Sequence, residues 1–371
     1  MPHLTTEKIS EALSKERLLI TGGAGFIGTS IARAVAPYAE EVVLLDSMHP
    51  DVHGENPRRP EIPDVSFVCG DVTSLRAWQV LLAECAPTAV IHLAAETGTG
   101  LSLSQATRHG HVNVVGTTTM LDAFYHASRH PDHIVLTSSR AVYGEGRWMV
   151  NEHAFYPETR THVDLLNQRW TPSNALSGRS VPAPVPSRAD TTEPRPTNIY
   201  AATKLAQEHI LTAWTAATGT ALSILRLQNV YGPGQSLINS YTGVLALFAR
   251  LAVSRQQIDL YEDGGAIRDF VFIDDVTQAL VETVAVTPKR ARLLDIGSGV
   301  PTTLTEVAEL MAAREKAPAP VVSGKFREGD VRAAYCDISD AKTEIGYEPA
   351  YDLNDGVGQL LAWVKRELEQ K

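Results

Sequence analysis

The segment Arg17–Gly28, RLLITGGAGFIG, constrains the fold more than any other stretch of the chain. Leu18-Leu19-Ile20 has the length and bulk of a buried parallel strand. Gly22, Gly23, Gly25 and Gly28 follow Thr21, and an apolar stripe at helical spacing runs through Phe26, Ile27, Ile31 and Val35. The order is therefore strand, glycine turn, helix. In that setting one glycine permits a tight turn, one admits a pyrophosphate to the backbone, and one lets helix and strand pack closely. The helix N-terminus adds free N–H groups and a partial positive charge.

A glycine pattern alone is weak, but its context is present. The next apolar run, Glu41–Asp46, ends in an acid about twenty residues beyond the turn, the spacing of a carboxylate that bonds the adenosine ribose hydroxyls. Asp46 would repel a 2′-phosphate, so NAD is favoured over NADP.

Repeated strand and helix patterns follow. Val65–Cys69, Ala89–Ala94, Ile134–Ser138 and Ala221–Leu227 read as strands; Leu75–Cys85, Asn113–His126 and Tyr200–Ala216 read as helices. The expected fold is α/β, a Rossmann-type doubly wound parallel sheet with ligands at the carboxyl ends of its strands. Asp46, Asp71, Ala95 and Ser139 fall at those ends. Residues 17–228 form this domain, preceded by an extension, 1–16, that is either a short amphipathic helix or disordered. Residues 229–371 form a smaller C-terminal α/β domain. The segment 269–297 rejoins the first domain, with Phe270–Ile273 in its sheet and Leu293–Ile296 a further strand. Residues 151–190, rich in Pro, Ser, Arg and Thr, are an insertion expected to lie over the substrate cleft.

At 371 residues with 44% apolar content, the chain can bury a large core. A formal charge of −10 argues against a nucleic-acid surface. No stretch is long and apolar enough to span a bilayer, and the N-terminus shows no signal-peptide core. Cys69, Cys85 and Cys336 lack paired spacing, and the histidines, His109-x-His111 included, are scattered. No metal site is expected, and a reducing cytoplasm is the expected compartment.

The chemistry concentrates in Ser139, Tyr200 and Lys204. Tyr200-Ala-Ala-Thr-Lys204 puts a phenol and an ammonium on one helix face. The cation is expected to lower the phenol pKa towards the working pH, each unit being about 1.4 kcal/mol of differential stabilisation. Such a phenolate removes a hydroxyl proton while hydride leaves the same carbon for a nicotinamide. Ser139 is placed to hydrogen-bond that oxygen.

These motifs, with GDVT (Gly70–Thr73), HLAA (His92–Ala95), NVVGT (Asn113–Thr117), TSSRAVYG (Thr137–Gly144) and RDFVFIDD (Arg268–Asp275), resemble the extended short-chain dehydrogenases/reductases that act on nucleotide sugars, over nearly the whole chain. The resemblance implies bound NAD. It implies cofactor contacts from Gly22, Gly25, Phe26, Ile27 and Gly28 in the turn, and from Asp46, Asp71 and Val72 at the adenosine end. Leu93, Ala94, Ala95, Asn113 and Thr137 would line the remainder, with Tyr200 and Lys204 at the nicotinamide. It further implies that Asn113 braces the active-site helix, that Lys204 holds the nicotinamide ribose, and that two helices per subunit form a homodimer.

Within that family, 4,6-dehydratases carry Asp-Glu after the catalytic hydroxyl residue, and decarboxylases carry Glu at the second of those positions. Here Arg140 and Ala141 stand there, and neither supplies acid–base chemistry for water loss. Oxidation and re-reduction at C4, a 4-epimerase, is the expectation. AAETGTGLSLSQ (Ala94–Gln105), SSRAVYGEG (Ser138–Gly146), LRLQNVYGPGQSLINSYTGVLALF (Leu225–Phe248) and EDGGAIRDFVFIDDV (Glu262–Val276) are similar to dTDP-L-rhamnose 4-epimerases. The Cys pairs associated with the insertion of those enzymes are absent from WTPSNALSGRSVP. The same matching implies that Asn229, Arg268 and Arg327 hold the diphosphate end. It places Thr97, Ser139 and Arg140 about the sugar, with Ser102 and Gln105 at the pocket border. UDP-hexose or UDP-uronate 4-epimerisation and net reduction of a 4-ketosugar stay open. A non-enzymatic NAD-binding scaffold is disfavoured by the presence of both Tyr200 and Lys204.

Overall fold

The computed structural model describes residues 4–55, 57–172, 180–237 and 243–369. Seven strands form one parallel sheet: β1 (Arg17–Thr21), β2 (Glu41–Asp46), β3 (Val65–Cys69), β4 (Ala89–His92), β5 (His133–Ser139), β6 (Ala221–Leu227) and β7 (Arg292–Ile296). Their order is β7-β6-β5-β4-β1-β2-β3. The chain reverses direction across the sheet between β1 and β4, which opens a crevice at their carboxyl ends. The strands read as unbroken apolar runs because both faces are covered. Leu18, Ile20, Val42 and Leu44 enter the core on one face, whereas Leu19, Val43 and Leu45 enter the core on the other.

Helix Phe26–Val35 buries Ile31, Ala32 and Val35 in the first core, beside helix Ile273–Ala285. The N-terminal extension contains a helix, Thr6–Leu13, capped by Thr5, with Ile9 and Leu13 buried in that same core. On the opposite face, helices Leu75–Glu84 and Gly116–His126 pack Trp78 against Phe124, ring centroids 6.0 Å apart. The long helix Ile199–Thr218 starts at an Asn198 cap, whose side chain accepts from Ala201 N–H at 2.9 Å. It stops at Gly219, which takes a left-handed φ of 78°.

The segment 269–297 divides. Helix Ile273–Ala285 and strand β7 join the large domain, but Phe270–Phe272 do not enter its sheet. They belong to Ile267–Phe272, the centre of a smaller sheet with Asn229–Tyr231, Pro301–Thr303 and Ala333–Ala334. Helices Val244–Val253, Leu304–Glu315 and Leu353–Glu369 pack on that sheet around Phe248, Phe270, Phe272, Met311 and Leu360.

The described part of the 151–190 insertion closes a three-stranded antiparallel sheet, with Trp148–Val150 pairing both His153–Phe155 and Ala183–Pro184. Residues 173–179 of the insertion and 238–242, both within stretches singled out above, lie outside the described residues. Among the described residues no helix is long and apolar enough to cross a membrane.

Candidate active site

The crevice between β1 and β4 opens into a cleft of about 1030 Å³ that runs from Asp46 past the glycine turn to Tyr200 and on to Asn229. The turn after β1 is shaped for close approach. Gly22 has φ +67°, and a Cβ there would lie 2.8 Å from Ala94 N. A Cβ on Gly28 would lie 2.4 Å from Gly22 O, so the first helical turn can nest on the loop only without a side chain. Gly25 is the helix N-cap, with no side chain over the free N–H groups. This is a cradle suited to a diphosphate.

At one end Asp46 accepts hydrogen bonds from Ala24 N–H (3.0 Å) and Met48 N–H (2.9 Å), with His53 Nε2 3.3 Å from its Oδ1. Burial pushes the Asp46 carboxyl up, but these hydrogen bonds outweigh it and hold the group below its ordinary value. Asp71 is exposed at the cleft and accepts from Thr73 N–H and Oγ1, both at 2.8 Å. Arg108 spans the mouth, bonding Asp51, His49 Nδ1 (3.2 Å) and Glu96 Oε1 (2.7 Å).

At the other end Ser139, Arg140, Tyr200 and Lys204 share the cleft wall. Ser139 terminates β5 and caps the turn Arg140–Tyr143, its Oγ accepting from Ala141 N–H at 3.2 Å. Tyr200 is the second residue of its helix, where the helix end carries partial positive charge. Burial nevertheless raises the Tyr200 phenol above its ordinary value, opposed by Ser139 and by the Arg140 charge. Burial lowers the Lys204 ammonium to about 8, with Glu208 one turn on pulling the other way. Burial thus outweighs the contributions that lower the phenol, which come from Ser139 and Arg140, and the lowering expected from Lys204 is not among them.

Asn113 does not line the cleft. It sits fully buried behind it, in a π-helical turn, Gly110–Val115, that leads into helix Gly116–His126. Its Oδ1 accepts from Glu96 N–H (2.7 Å), and its Nδ2 donates to Glu96 C=O (3.0 Å) and Thr203 Oγ1 (2.9 Å). The extra backbone residue of a π turn aims this side chain at two elements together. His92, at the end of β4, is buried between Thr21 Oγ1 (2.7 Å) and Thr117 Oγ1 (3.0 Å). Burial and the Lys204 charge depress it to about 3, so it stays neutral.

A buried chain backs the catalytic helix. Glu208 accepts from Ser138 Oγ and from Arg226 Nε (3.0 Å) and Nη2 (2.6 Å). The Arg226 guanidinium lies 4.6 Å over the Tyr143 ring, and the Tyr143 hydroxyl donates to Asp295 at 2.9 Å. Lys204-x-x-x-Glu208 spacing was the available sequence signal for this support; Arg226 and Asp295 are brought in by neighbouring strands.

The turn residues, Phe26, Ile27, Asp46, Asp71, Val72, Leu93, Ala94, Ala95 and Thr137 all line the cleft, as do Thr97, Arg140 and Asn229. Two arginines assigned to the diphosphate do not. Arg268 is buried and occupied by Asp330 Oδ1 (3.0 Å) and Ile267 C=O (2.7 Å). Arg327 is exposed, its guanidinium 5.3 Å over Tyr261. The described insertion residues do not line the cleft either. Arg160 instead ties them to Glu145 (3.3 Å) and Glu262 (2.8 Å).

Comparison with known proteins agrees with this geometry. A dTDP-L-rhamnose 4-epimerase of Burkholderia thailandensis is 50% identical over 358 residues, covering 96% of this chain and 97% of that protein. A solved UDP-glucose 4-epimerase of Thermus thermophilus in complex with NAD is 26% identical, with a TM-score of 0.73 over 94% of this chain and 99% of that one. The structure of MoeE5 with UDP-glucuronic acid and NAD is 25% identical, with a TM-score of 0.75 over 95% and 99%. The family model described as the NAD dependent epimerase/dehydratase family matches residues 18–292, and the chain belongs to that family.

Proposed function

We infer that this protein is an NAD-dependent 4-epimerase of a nucleotide sugar, acting on a dTDP-6-deoxyhexose such as dTDP-L-rhamnose. The observation that carries the reaction type is the group of Ser139, Tyr200 and Lys204 on one cleft wall, followed by Arg140 and Ala141 where water loss would need a proton donor and acceptor. The relative at 50% identity supports the choice of sugar and nucleotide. The glycine cradle and the Asp46 carboxylate fit NAD. When bound, NAD takes up hydride from C4 of the sugar and returns it.

The residues divide the work. Ser139 Oγ holds the substrate O4, and Tyr200 Oη removes its proton. The resulting 4-keto sugar turns over within the cleft, and Tyr200 gives the proton back after hydride returns to the other face. Lys204 is assigned to the nicotinamide ribose. Thr97 and Asn229 border the sugar nucleotide. Asp71 reaches the adenine end, and Asn113 braces the helix that carries Tyr200.

We also read the protein as a cytoplasmic homodimer. Its three free thiols suit a reducing compartment. Exposed Val115 and Tyr125 give the surface around helix Gly116–His126 apolar character for a second copy. Light scattering on the purified protein tests the dimer.

The deciding experiment incubates the protein, without added cofactor, with dTDP-L-rhamnose, UDP-glucose, UDP-glucuronate and UDP-N-acetylglucosamine. A product of unchanged mass with an altered H4 coupling is expected from dTDP-L-rhamnose. A product lighter by water or carbon dioxide overturns the reading of Arg140 and Ala141. Turnover only of 4-ketosugars with added reduced cofactor makes the protein a reductase.

A further inference from the structure

Arg108 joins two walls of the cleft at its adenosine end. One wall is the segment that follows β2, residues 47–53, and the other is the loop after β4. Arg108 Nη1 bonds the Asp51 carboxylate, while Nη2 meets His49 Nδ1 at 3.2 Å and donates to Glu96 Oε1 at 2.7 Å. One guanidinium fork therefore bridges from the segment after β2 to the loop after β4.

The two walls are held differently. Glu96 is fixed from behind the cleft, where Asn113 takes its backbone N–H (2.7 Å) and C=O (3.0 Å). The facing segment is a single helical turn, Pro50–His53, none of whose residues is buried, so packing does not hold it. It lies between Met48 at φ 54° and Gly54 at φ 80°, and the chain bends sharply at each end. Side-chain exposure rises from 17% at Glu96 through 26% at Arg108 to 61% at Asp51. Water competes best for the outermost bond, so the Arg108–Asp51 pair opens first and the Arg108–Glu96 pair stays with the fixed wall. A pair this exposed adds little to the stability of the fold. Its place across an open cleft gives it a different use.

We propose that Arg108 is a latch that retains NAD through the reaction. It ties the turn at residues 50–53 to Glu96 across the adenosine end, and the cofactor leaves only after the Arg108–Asp51 bond opens. Arg108 acts by closing the site and does not itself touch the reacting atoms. The need for retention rests on the 4-epimerase reading: hydride taken from C4 has to come back from the same cofactor molecule, whereas a reductase exchanges its cofactor in every cycle. The latch itself requires only that NAD binds.

The test loads the protein with isotopically labelled NAD and follows exchange against excess unlabelled cofactor, with no sugar present. Arg108→Met and Asp51→Asn should each speed release by about fivefold or more, and the double variant should be no faster than Arg108→Met, because both changes open one bond. Arg108→Lys should regain only part of the retention, since an ammonium keeps the charge without the fork that reaches three partners. Added salt should speed release from the wild type by screening the pair, and Arg108→Met should flatten that dependence. Melting temperature is followed in every variant, and the exposed Asp51→Asn carries the test if Arg108→Met does not fold. Release unchanged in Arg108→Met overturns the proposal. Release unchanged or slowed in Asp51→Asn also overturns it, because the guanidinium would then hold the cofactor directly. Faster release in both variants from a protein that turns over no nucleotide sugar leaves the latch standing and removes the epimerase reading instead.

Discussion

Asn113 Nδ2 and Thr203 Oγ1 lie 2.9 Å apart, joining a buried π turn to the helix that carries Tyr200 and Lys204 behind the cleft. The same carboxamide takes both backbone groups of Glu96, so three elements meet on one side chain. In Asn113→Ala, both backbone groups of the partly buried Glu96 lose their partner, a cost of up to about 1–3 kcal/mol for each group left unsatisfied. Urea unfolding should show that loss, and kcat should fall although Asn113 touches no substrate. Unchanged stability would mean that water replaces the carboxamide.

Tyr200→Phe removes one hydroxyl from the cleft and leaves the glycine cradle and Asp46 in place. Turnover should fall by about 10²–10⁴-fold, the usual contribution of a general acid–base group. NAD released on denaturation should match the wild type. Near wild-type turnover would remove Tyr200 from its role.

Arg160→Met tests what the insertion does. Arg160 is buried between Glu145 and Glu262 and also donates to Asp330 C=O at 2.7 Å. Glu262 retains Arg332 at 3.1 Å, but Glu145 loses its paired charge. Leaving a buried charge uncompensated costs about 3–5 kcal/mol. The expected outcome is a lower unfolding midpoint in urea and faster proteolytic cutting within 151–190. Equal cutting in both proteins would show that the insertion is held by its other contacts.

Asp295 predicts a pH dependence of stability. Burial raises its carboxyl from 3.8 to about 7, despite the Tyr143 hydroxyl and the Arg226 charge. The folded protein therefore keeps a proton that the unfolded chain has already lost. This contribution is fully present below 3.8 and is lost as pH rises through about 7. Asp295→Asn cannot ionise, so its melting temperature should gain on the wild type between pH 5 and pH 8. A constant difference across that range would show that the carboxyl ionises normally in the fold.

The glycine turn, the alternating strands and the Tyr200–Lys204 pair were legible because each is local. A positive φ at Gly22, a strand run and an i,i+4 pair are set within a few residues. Asp46 was legible by its distance from the turn. Phe270–Phe272 were placed in the wrong sheet because an apolar run records burial but not the neighbouring strand. Arg268 and Arg327 were assigned to the diphosphate by motif. A motif cannot show that Asp330 occupies the first and that the second faces solvent.

The sequence by itself determined the doubly wound architecture, the cofactor cradle and the chemical identity of the phenol, hydroxyl and ammonium in the site. Tertiary structure alone decided the electrostatics of those groups. The field at Tyr200 depends on how deeply it is buried and on which charges are already paired, and those charges come from separate elements: Arg140 after β5, Arg268 in the smaller sheet, and Glu145, Arg160 and Asp330 in loops. Coulomb interactions act through space and are weighted by local dielectric, so sequence separation carries no information about them until the chain has folded.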